Sequence, residues 1–239
     1  LKKKIQELKN LKNLEIKTRT SVAAFHGYNY LLARENLTDH LEKKDKQGKI
    51  RQRLLKIRAK KVILATGALE RPLIFNNNDR PGIMLSSAVN KYADFYGVVC
   101  GQKTVFFTNN DSAYESAFCL HNKGIKVEAI IDIRDNSNSK IVKAVKDAGI
   151  KIHWSHTVVD TSGYKRLKNI SVMRLSNDGM SVTGNRIKIS SDCLGISGGW
   201  TPAVHLFTQS GGKLSFDEEN KVFLPNKYPS EQISIGSCN

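Results

Sequence analysis

The segment Ala65-Thr66-Gly67 has residue types that could contact a ligand, because it ends the apolar run 62–65 with small side chains. Glycine permits positive φ and lets a ligand approach the backbone closely. Ligands of open α/β sheets bind at the carboxyl ends of strands. The segment therefore predicts a contact with a flat or polyanionic ligand. An ordinary strand-to-loop glycine is the alternative.

A second candidate position is the turn that follows the predicted strand 103–110. A dinucleotide-binding βαβ unit carries G-x-G-x-x-G there, so that backbone N–H groups bind a pyrophosphate. Here the sequence is FFTNNDSAYESA, and no glycine lies between Thr104 and Leu120. We interpret Asp111 as a helix N-terminal residue that satisfies free N–H groups. The turn predicts a Rossmann-like unit with a degenerate phosphate loop.

Three charged residues near predicted strand ends have two interpretations each. Asp132 follows the next strand, near the usual position of a ribose-binding acid. Without the glycines we favour a solvated residue at the strand end. Glu70 and Arg71 could orient a ligand, and a local ion pair is the alternative.

The sequence predicts no metal site and no catalytic residue. His153 and His156 are separated by three positions, which on one strand would direct them to opposite faces. The four cysteines form no CxxC pair and match no zinc spacing. No Ser/His/Asp set or pair of carboxylates stands out.

Composition narrows the class of protein. The 239 residues are 40% hydrophobic with 5 Pro, which excludes disorder, and no apolar run approaches the ~20 residues of a membrane span. The net charge of +16 could indicate a basic nucleic-acid-binding module. We favour a solvated surface, since 27 of the 38 basic residues are lysines and they are scattered. We therefore expect neither nucleic acid nor membrane as a partner.

The ends of the sequence and its cysteines indicate the extent of the chain and its cellular location. The chain lacks an initial Met and stops just after a predicted strand, so we expect a piece of a longer chain. Reduced thiols are the expected state of the cysteines in a cytoplasmic protein, which is the predicted location.

Periodicity predicts two kinds of structure. An amphipathic helix over 1–13 precedes an antiparallel meander of strands 14–27, 28–37 and 50–67, whose apolar end enters a buried parallel sheet. An alternating unit follows, with helices 86–99, 111–124 and 137–149 and strands 103–110, 126–134 and 150–163. Strands 167–176 and 184–197 and two short β runs complete the pattern. Ser86 or Ser87 is the predicted N-cap of helix 86–99.

This order resembles flavoprotein reductases with two dinucleotide-binding domains, in which xxATG closes the meander. The stretches TNNDSAYESA and SGGWTPAVHLFTQSGGK further resemble the α subunits of heterotetrameric sarcosine oxidases and related amine-oxidising enzymes. The resemblance covers nearly the whole chain. It implies an α/β fold of the FAD/NAD(P)-binding two-domain type, with parallel Rossmann-like sheets and an antiparallel β-meander.

The resemblance implies a first dinucleotide-binding domain from 1–82 and 190–239, whose glycine-rich loop would precede residue 1. It implies a second Rossmann-like domain inserted at 83–189. Cofactor contacts carry over to Ala65, Thr66 and Gly67, to the meander residues Val22 and Ala23, and to Gly236 near the C-terminus. For the meander residues, a core strand is the alternative.

The resemblance also implies a role. This region would bind NAD in an oxidoreductase subunit of a flavoenzyme that oxidatively demethylates sarcosine or a related secondary amine. FAD and FMN would belong to the assembled enzyme, together with other subunits, and tetrahydrofolate would bind outside this chain. The region alone would not be catalytic. The alternative function is an FAD-dependent pyridine nucleotide oxidoreductase.

Overall fold

The computed structural model describes residues 2–229 and 231–239, which belong to two compact units of the chain. Unit 1 combines Leu1–Ala68 with Pro202–Asn239, and unit 2 is Leu69–Thr201. The chain thus leaves unit 1 once and returns to it once.

The first part of unit 1 is an antiparallel meander followed by a separate short strand. Its elements are α1 (Lys2–Lys9), β1 (Thr20–His26), β2 (Tyr30–Asn36), α2 (Lys43–Lys46), β3 (Gln52–Arg58) and β4 (Val62–Leu64). The meander has the order β1-β2-β3. Phe25 and Leu31 bury their side chains in one cluster with Val62 and Leu64, so apolar burial holds the meander and β4 together.

Two predicted strands of this region are shorter than expected. The strand predicted over 14–27 begins at Thr20. The strand predicted over 50–67 is interrupted after Arg58, and β4 belongs to a different sheet. Val62 and Leu64 are buried, but Ile63 is 64% exposed. The prediction that the apolar segment 62–65 enters a fully buried sheet is therefore wrong for Ile63 and for Ala65, which is also exposed.

Unit 2 is an alternating α/β region. The chain elements that follow β4 are β5 (Ala68–Glu70), β6 (Ile83–Leu85), α3 (Ser86–Phe95), β7 (Thr104–Thr108), α4 (Ser112–Asn122), β8 (Val127–Asp132), α5 (Lys140–Asp147), β9 (Ile152–Trp154), β10 (His156–Ser162), β11 (Asn169–Leu175), β12 (Val182–Ser190), β13 (Cys193–Ser197) and β14 (Trp200–Pro202). A parallel five-stranded sheet has the order β6-β13-β7-β8-β9.

Three layers build the core of unit 2. On one face of the parallel sheet, Phe106 and Ile130 pack with helix residues such as Tyr114 and Val142. On the other face, a second cluster joins the sheet to the antiparallel meander β10-β11-β12; it includes Val105, Ile131, Ile170, Val172 and Leu194. All five residues of β7 are buried, as expected of a central parallel strand.

The strand predicted over 184–197 is two strands in two sheets. β12 is the edge of the meander, whereas β13 lies between β6 and β7 in the parallel sheet. Since β13 is hydrogen-bonded on both sides within unit 2, the chain returns to unit 1 only after Thr201. The domain boundary predicted at 189/190 falls inside unit 2 for this reason. The boundary predicted at 82/83 also falls inside unit 2, where Leu73 and Phe75 pack against the second cluster.

The returning segment completes unit 1 with α6 (His205–Gln209), the hairpin β15 (Lys213–Asp217) and β16 (Val222–Lys227), β17 (Gln232–Ser234) and a 3-10 turn, Gly236–Cys238. β17 pairs in parallel with β4. Phe207 of α6 packs in the cluster that contains Val62 and Leu64. The predicted fold class, α/β with parallel Rossmann-like sheets and an antiparallel β-meander, is confirmed.

Among the described residues, no helix is long and apolar enough to cross a membrane.

Candidate functional site

Two strand ends meet in unit 1. β4 and β17 run in parallel, with Leu64 opposite Ser234, and the Ile235 amide donates to the Leu64 carbonyl at 2.9 Å. The predicted contact residues Ala65, Thr66 and Gly67 follow one of these strands, and Gly236 follows the other. The structure therefore places both predicted groups after the carboxyl ends of adjacent strands.

Gly67 and Gly236 share an open backbone geometry. Their φ angles are +72° and +69°, a region that residues with a side chain rarely adopt. A Cβ atom built on either glycine would have no neighbour within 4 Å. Both positions thus leave their backbone accessible to a ligand, which is what a dinucleotide requires of a strand-end glycine.

The backbone around Thr66 is held by the returning chain. The Thr66 hydroxyl donates to the Ala203 carbonyl at 2.7 Å, and the Ala203 amide donates to the Gly67 carbonyl at 2.9 Å. Ala65 and Thr66 are nonetheless exposed. These bonds fix the turn from one side and leave the other side open.

Cys238 is a neighbour of this turn that sequence reasoning missed. Its thiol is 1% exposed and donates to the carbonyls of Leu64 and Ile235, at 3.3 and 3.1 Å. Burial opposes ionisation, but the neighbouring Thr66 side chain and the backbone of Thr66, Ile235 and Gly67 outweigh it and lower the pKa of Cys238. The thiol therefore ties the end of β4 to the segment after β17.

Val22 and Ala23 lie elsewhere in unit 1, on β1 of the meander, a different sheet from the one formed by β4 and β17. Both are exposed, and the register shifts between Val22 and Ala24, so that Ala23 lies at a bulge. Bulges often occur beside binding sites. The alternative that these two residues form a core strand is not supported, because their side chains are not buried.

The turn between β7 and α4 in unit 2 is closed by its own side chains. The Asn110 side-chain oxygen accepts from the amide and hydroxyl of Ser112, at 3.1 and 2.5 Å. Asp111 occupies the N-cap position, and its carbonyl accepts from the Tyr114 amide at 3.0 Å, but its side chain accepts no hydrogen bond from an amide of the helix. The predicted capping role of Asp111 is therefore wrong, and Asn110 performs it.

Asp132 is not the solvated residue that was predicted. It is fully buried, and its carboxylate accepts from the Tyr114 hydroxyl at 2.7 Å and from the Arg134 amide and Nη2 at 3.0 and 2.8 Å. Burial, and then the neighbouring carboxylate, raise the pKa of Tyr114 far above its ordinary range. The spacing of Asp132 and Arg134 around a strand end is the signal in the sequence that could have indicated this pair.

Arg134 joins two carboxylates. Its Nη2 lies 2.8 Å from Asp132 and 2.8 Å from Asp111, and the Ser137 hydroxyl also donates to Asp111. Burial opposes ionisation of Asp111, but hydrogen bonds from Ser139, Arg134 and Ser137 and the charge of Arg134 lower its pKa. The carboxyl edge of the unit 2 sheet thus holds a connected set of charges.

Glu70 binds the N-terminus of α3. Its carboxylate accepts from the Ser87 amide at 2.9 Å and from the Ser87 hydroxyl at 2.5 Å. The N-cap position itself is Leu85, with no side-chain cap. The prediction of Ser86 or Ser87 as N-cap is therefore wrong, and Glu70 supplies the capping oxygen from a distant position in the chain.

The two histidines do not point to opposite faces. Ser155, with φ of +53°, separates β9 from β10, and the rings of His153 and His156 lie 5.5 Å apart. The His156 Nδ1 contacts the Trp154 carbonyl at 2.6 Å. Across residues 2–229 and 231–239, no group of three or more metal-ligating side chains is present.

Solved structures share this fold at low sequence identity. L-proline dehydrogenase of P. horikoshii matches 99% of the chain, and 40% of its own, with a TM-score of 0.62 and 20% identity. Thioredoxin reductase of T. acidophilum matches 91% of the chain, and 65% of its own, with a TM-score of 0.59 and 16% identity. These likenesses show the fold alone. No protein-family model matches the chain.

Sequence relatives are more specific. Sarcosine oxidase subunit alpha of Corynebacterium sp. (strain P-1) is 38% identical over 221 residues, or 92% of this chain. The subunit of the same name from Rhizobium meliloti (strain 1021) is 33% identical over 236 residues, or 97% of this chain. The chain spans 22% of the length of each relative. It is therefore homologous, over nearly its whole length, to one segment of the sarcosine oxidase alpha subunits.

Proposed function

We propose that unit 1 contributes to a binding site for NAD, with contacts at Ala65, Thr66, Gly67 and Gly236. One observation carries the proposal: two glycines with positive φ and open space around them follow adjacent parallel strands. Val22 and Ala23 on β1 are proposed as a further contact with the dinucleotide.

The longer protein proposed here is an oxidoreductase subunit. Its relatives are named alpha subunits of sarcosine oxidase, which supports a multi-subunit flavoenzyme that oxidatively demethylates sarcosine or a related secondary amine. FAD and FMN would belong to the assembled enzyme, and tetrahydrofolate would bind outside this chain. The role of this region is to hold a cofactor, not to oxidise the amine.

A second candidate function is an FAD-dependent pyridine nucleotide oxidoreductase. It is supported by the fold, which resembles that of an FAD-dependent pyridine nucleotide-disulphide oxidoreductase from Desulfovibrio vulgaris, with a TM-score of 0.54. Such a disulphide-reducing role would call for a CxxC pair, which the sequence lacks. We therefore rank it second.

Alanine at Gly67 or Gly236 tests the site. Alanine would strain the backbone and place a methyl group in the space left for the ligand. Gly48 is a matched control in unit 1, since its φ is +73° and its Cβ would also have no neighbour within 4 Å. We expect G67A and G236A to weaken NAD binding at least about tenfold, or roughly 1.4 kcal/mol, and G48A to leave it unchanged. Isothermal titration calorimetry measures the affinities.

Wild-type affinity for NAD in all three variants would contradict the proposed site. Loss of affinity in G48A as well would attribute the effect to backbone strain. The identity of the nucleotide is tested by releasing it from the assembled complex with acid and identifying it by mass spectrometry. Absence of NAD from an intact complex would overturn the cofactor assignment.

A further inference from the structure

Open α/β sheets like that of unit 2 commonly bind a dinucleotide. In an open α/β sheet of this type, a pyrophosphate lies on the turn between the first strand and its helix, and a ribose lies at the end of the next strand. In unit 2 these positions are the turn from Thr108 to Ser112 and the end of β8 at Asp132. Whether a dinucleotide fits there depends on free amides, free carboxylate oxygens and charge.

Three amides of the turn donate hydrogen bonds to the protein itself. Asn109 donates its amide to the Ser197 carbonyl at 3.3 Å, and Asn110 donates to the Thr108 hydroxyl at 3.0 Å. Ser112, the first residue of α4, donates to the Asn110 side chain. A pyrophosphate would need these same N–H groups, since the first amides of a helix form its anion site.

The ribose position is occupied as well. Asp132 is fully buried, and both carboxylate oxygens accept hydrogen bonds: Oδ2 from Tyr114, and Oδ1 and Oδ2 from Arg134. A carboxylate that binds a ribose must present an oxygen to the ligand. Asp132 presents both to its own chain.

An arginine at this position can instead bind the 2′-phosphate of NADP. Arg134 does not have that freedom, because its guanidinium contacts Asp111 and Asp132 at 2.8 Å each. At neutral pH one cation between two carboxylates leaves the group with a net charge of −1, which disfavours a polyanion. Trp200 adds a further contact, since its Nε1 donates to the Ser112 hydroxyl at 3.0 Å.

We infer that unit 2 does not bind a dinucleotide, because the Asp111–Arg134–Asp132 cluster takes the place of the ligand. The cluster joins the β7–α4 turn to the end of β8, the two parts of the site that a bound dinucleotide would join. Unit 2 thus has a nucleotide-binding fold in which these three charged side chains occupy the ligand position. This inference does not depend on the site proposed in unit 1.

Hydrogen exchange of the purified protein with millimolar NADH, NADPH or ADP-ribose tests the inference directly. We expect no ligand-dependent protection of peptides covering 108–115 or 131–135. Protection of either region would overturn the inference. Peptides covering 62–68 and 232–239 report separately on the NAD site proposed in unit 1. If that site is wrong, these peptides show no protection, whereas an error in the inference about unit 2 would show as protection of 108–115 or 131–135.

Thermal stability distinguishes a cluster that stabilises the fold from a ligand-binding site that is empty. Ligand-binding residues commonly cost stability when no ligand is bound, whereas removing one partner of a buried ion pair destabilises a protein. We expect Asp132→Asn to lower Tm by roughly 5–15 °C and Tyr114→Phe by roughly 3 °C or more. Asp135→Asn, in the same loop but exposed, is the matched control.

Unchanged or raised Tm in both Asp132→Asn and Tyr114→Phe would overturn the inference. If Asp132→Asn does not fold, the milder Tyr114→Phe variant decides the outcome, because it removes a single hydroxyl from the group around Asp132.

Discussion

The Thr66 hydroxyl donates to the carbonyl of Ala203, 137 positions later in the chain, at 2.7 Å. The Ala203 amide donates in turn to the Gly67 carbonyl. Within unit 1, these bonds join the segment from which the chain leaves to the segment by which it returns. The turn that carries the proposed cofactor contacts therefore depends on a residue far away in sequence.

Substitutions of Thr66 test the hydrogen bond between these two segments. Thr66→Val removes the hydroxyl at nearly constant volume, and we expect a loss of about 1 kcal/mol in the free energy of unfolding of unit 1. Thr66→Ser keeps the donor and should stay near wild type. Urea unfolding followed by circular dichroism measures both. Equal stability of the two variants would show that the hydrogen bond contributes nothing.

Glu70 is expected to stabilise α3. It caps the helix through Ser87, and its carboxylate favours the positive end of the helix dipole. Glu70→Ala should destabilise unit 2 by roughly 1–2 kcal/mol. Glu219, an exposed glutamate, is the control, and Glu219→Ala should lie within about 0.5 kcal/mol of wild type. Thermal unfolding compares them, and equal effects would contradict the capping role.

Asp111 predicts a pH dependence of stability. Its pKa in the folded protein is lowered from 3.8, so the folded state favours the ionised form. The resulting stability is fully present above the unfolded pKa and is lost as the pH falls through the lower folded pKa. The difference in Tm between wild type and Asp111→Asn should therefore be larger at about pH 6 than at about pH 3. A constant difference would contradict the ion pair with Arg134.

Cys193 is expected to be an unreactive thiol. It is fully buried, and burial, followed by the nearby Cys100, raises its pKa from 9.0 to about 12. Because the thiolate is the reacting form, alkylation at pH 8 should be roughly a thousandfold slower than in the urea-unfolded chain. Peptide mass spectrometry after iodoacetamide treatment measures the rate. Similar rates in folded and unfolded protein would contradict this environment.

Local sequence signals determined much of unit 2. Apolar runs bounded by polar turns located β7 and β8, and helix-terminating glycines marked the ends of α4 and α5: Gly124 and Gly149 both have φ of +74°. The absence of glycine from the β7–α4 turn is likewise a property of the sequence itself. These features depend on neighbours a few positions apart, which is why the sequence alone was sufficient to predict them.

Tertiary structure alone decided which distant segments meet. Periodicity cannot show that β13 lies between β6 and β7, a placement that keeps the chain in unit 2 beyond the boundary predicted at 189/190. Likewise, a predicted solvated Asp132 is buried because Arg134 and Tyr114 converge on it. The pairing of β4 with β17, which brings Gly67 and Gly236 to the ends of adjacent strands, joins residues about 170 positions apart. Long-range pairing depends on the path by which the chain returns, and that path is set by burial of whole sheet faces and not by any local residue preference.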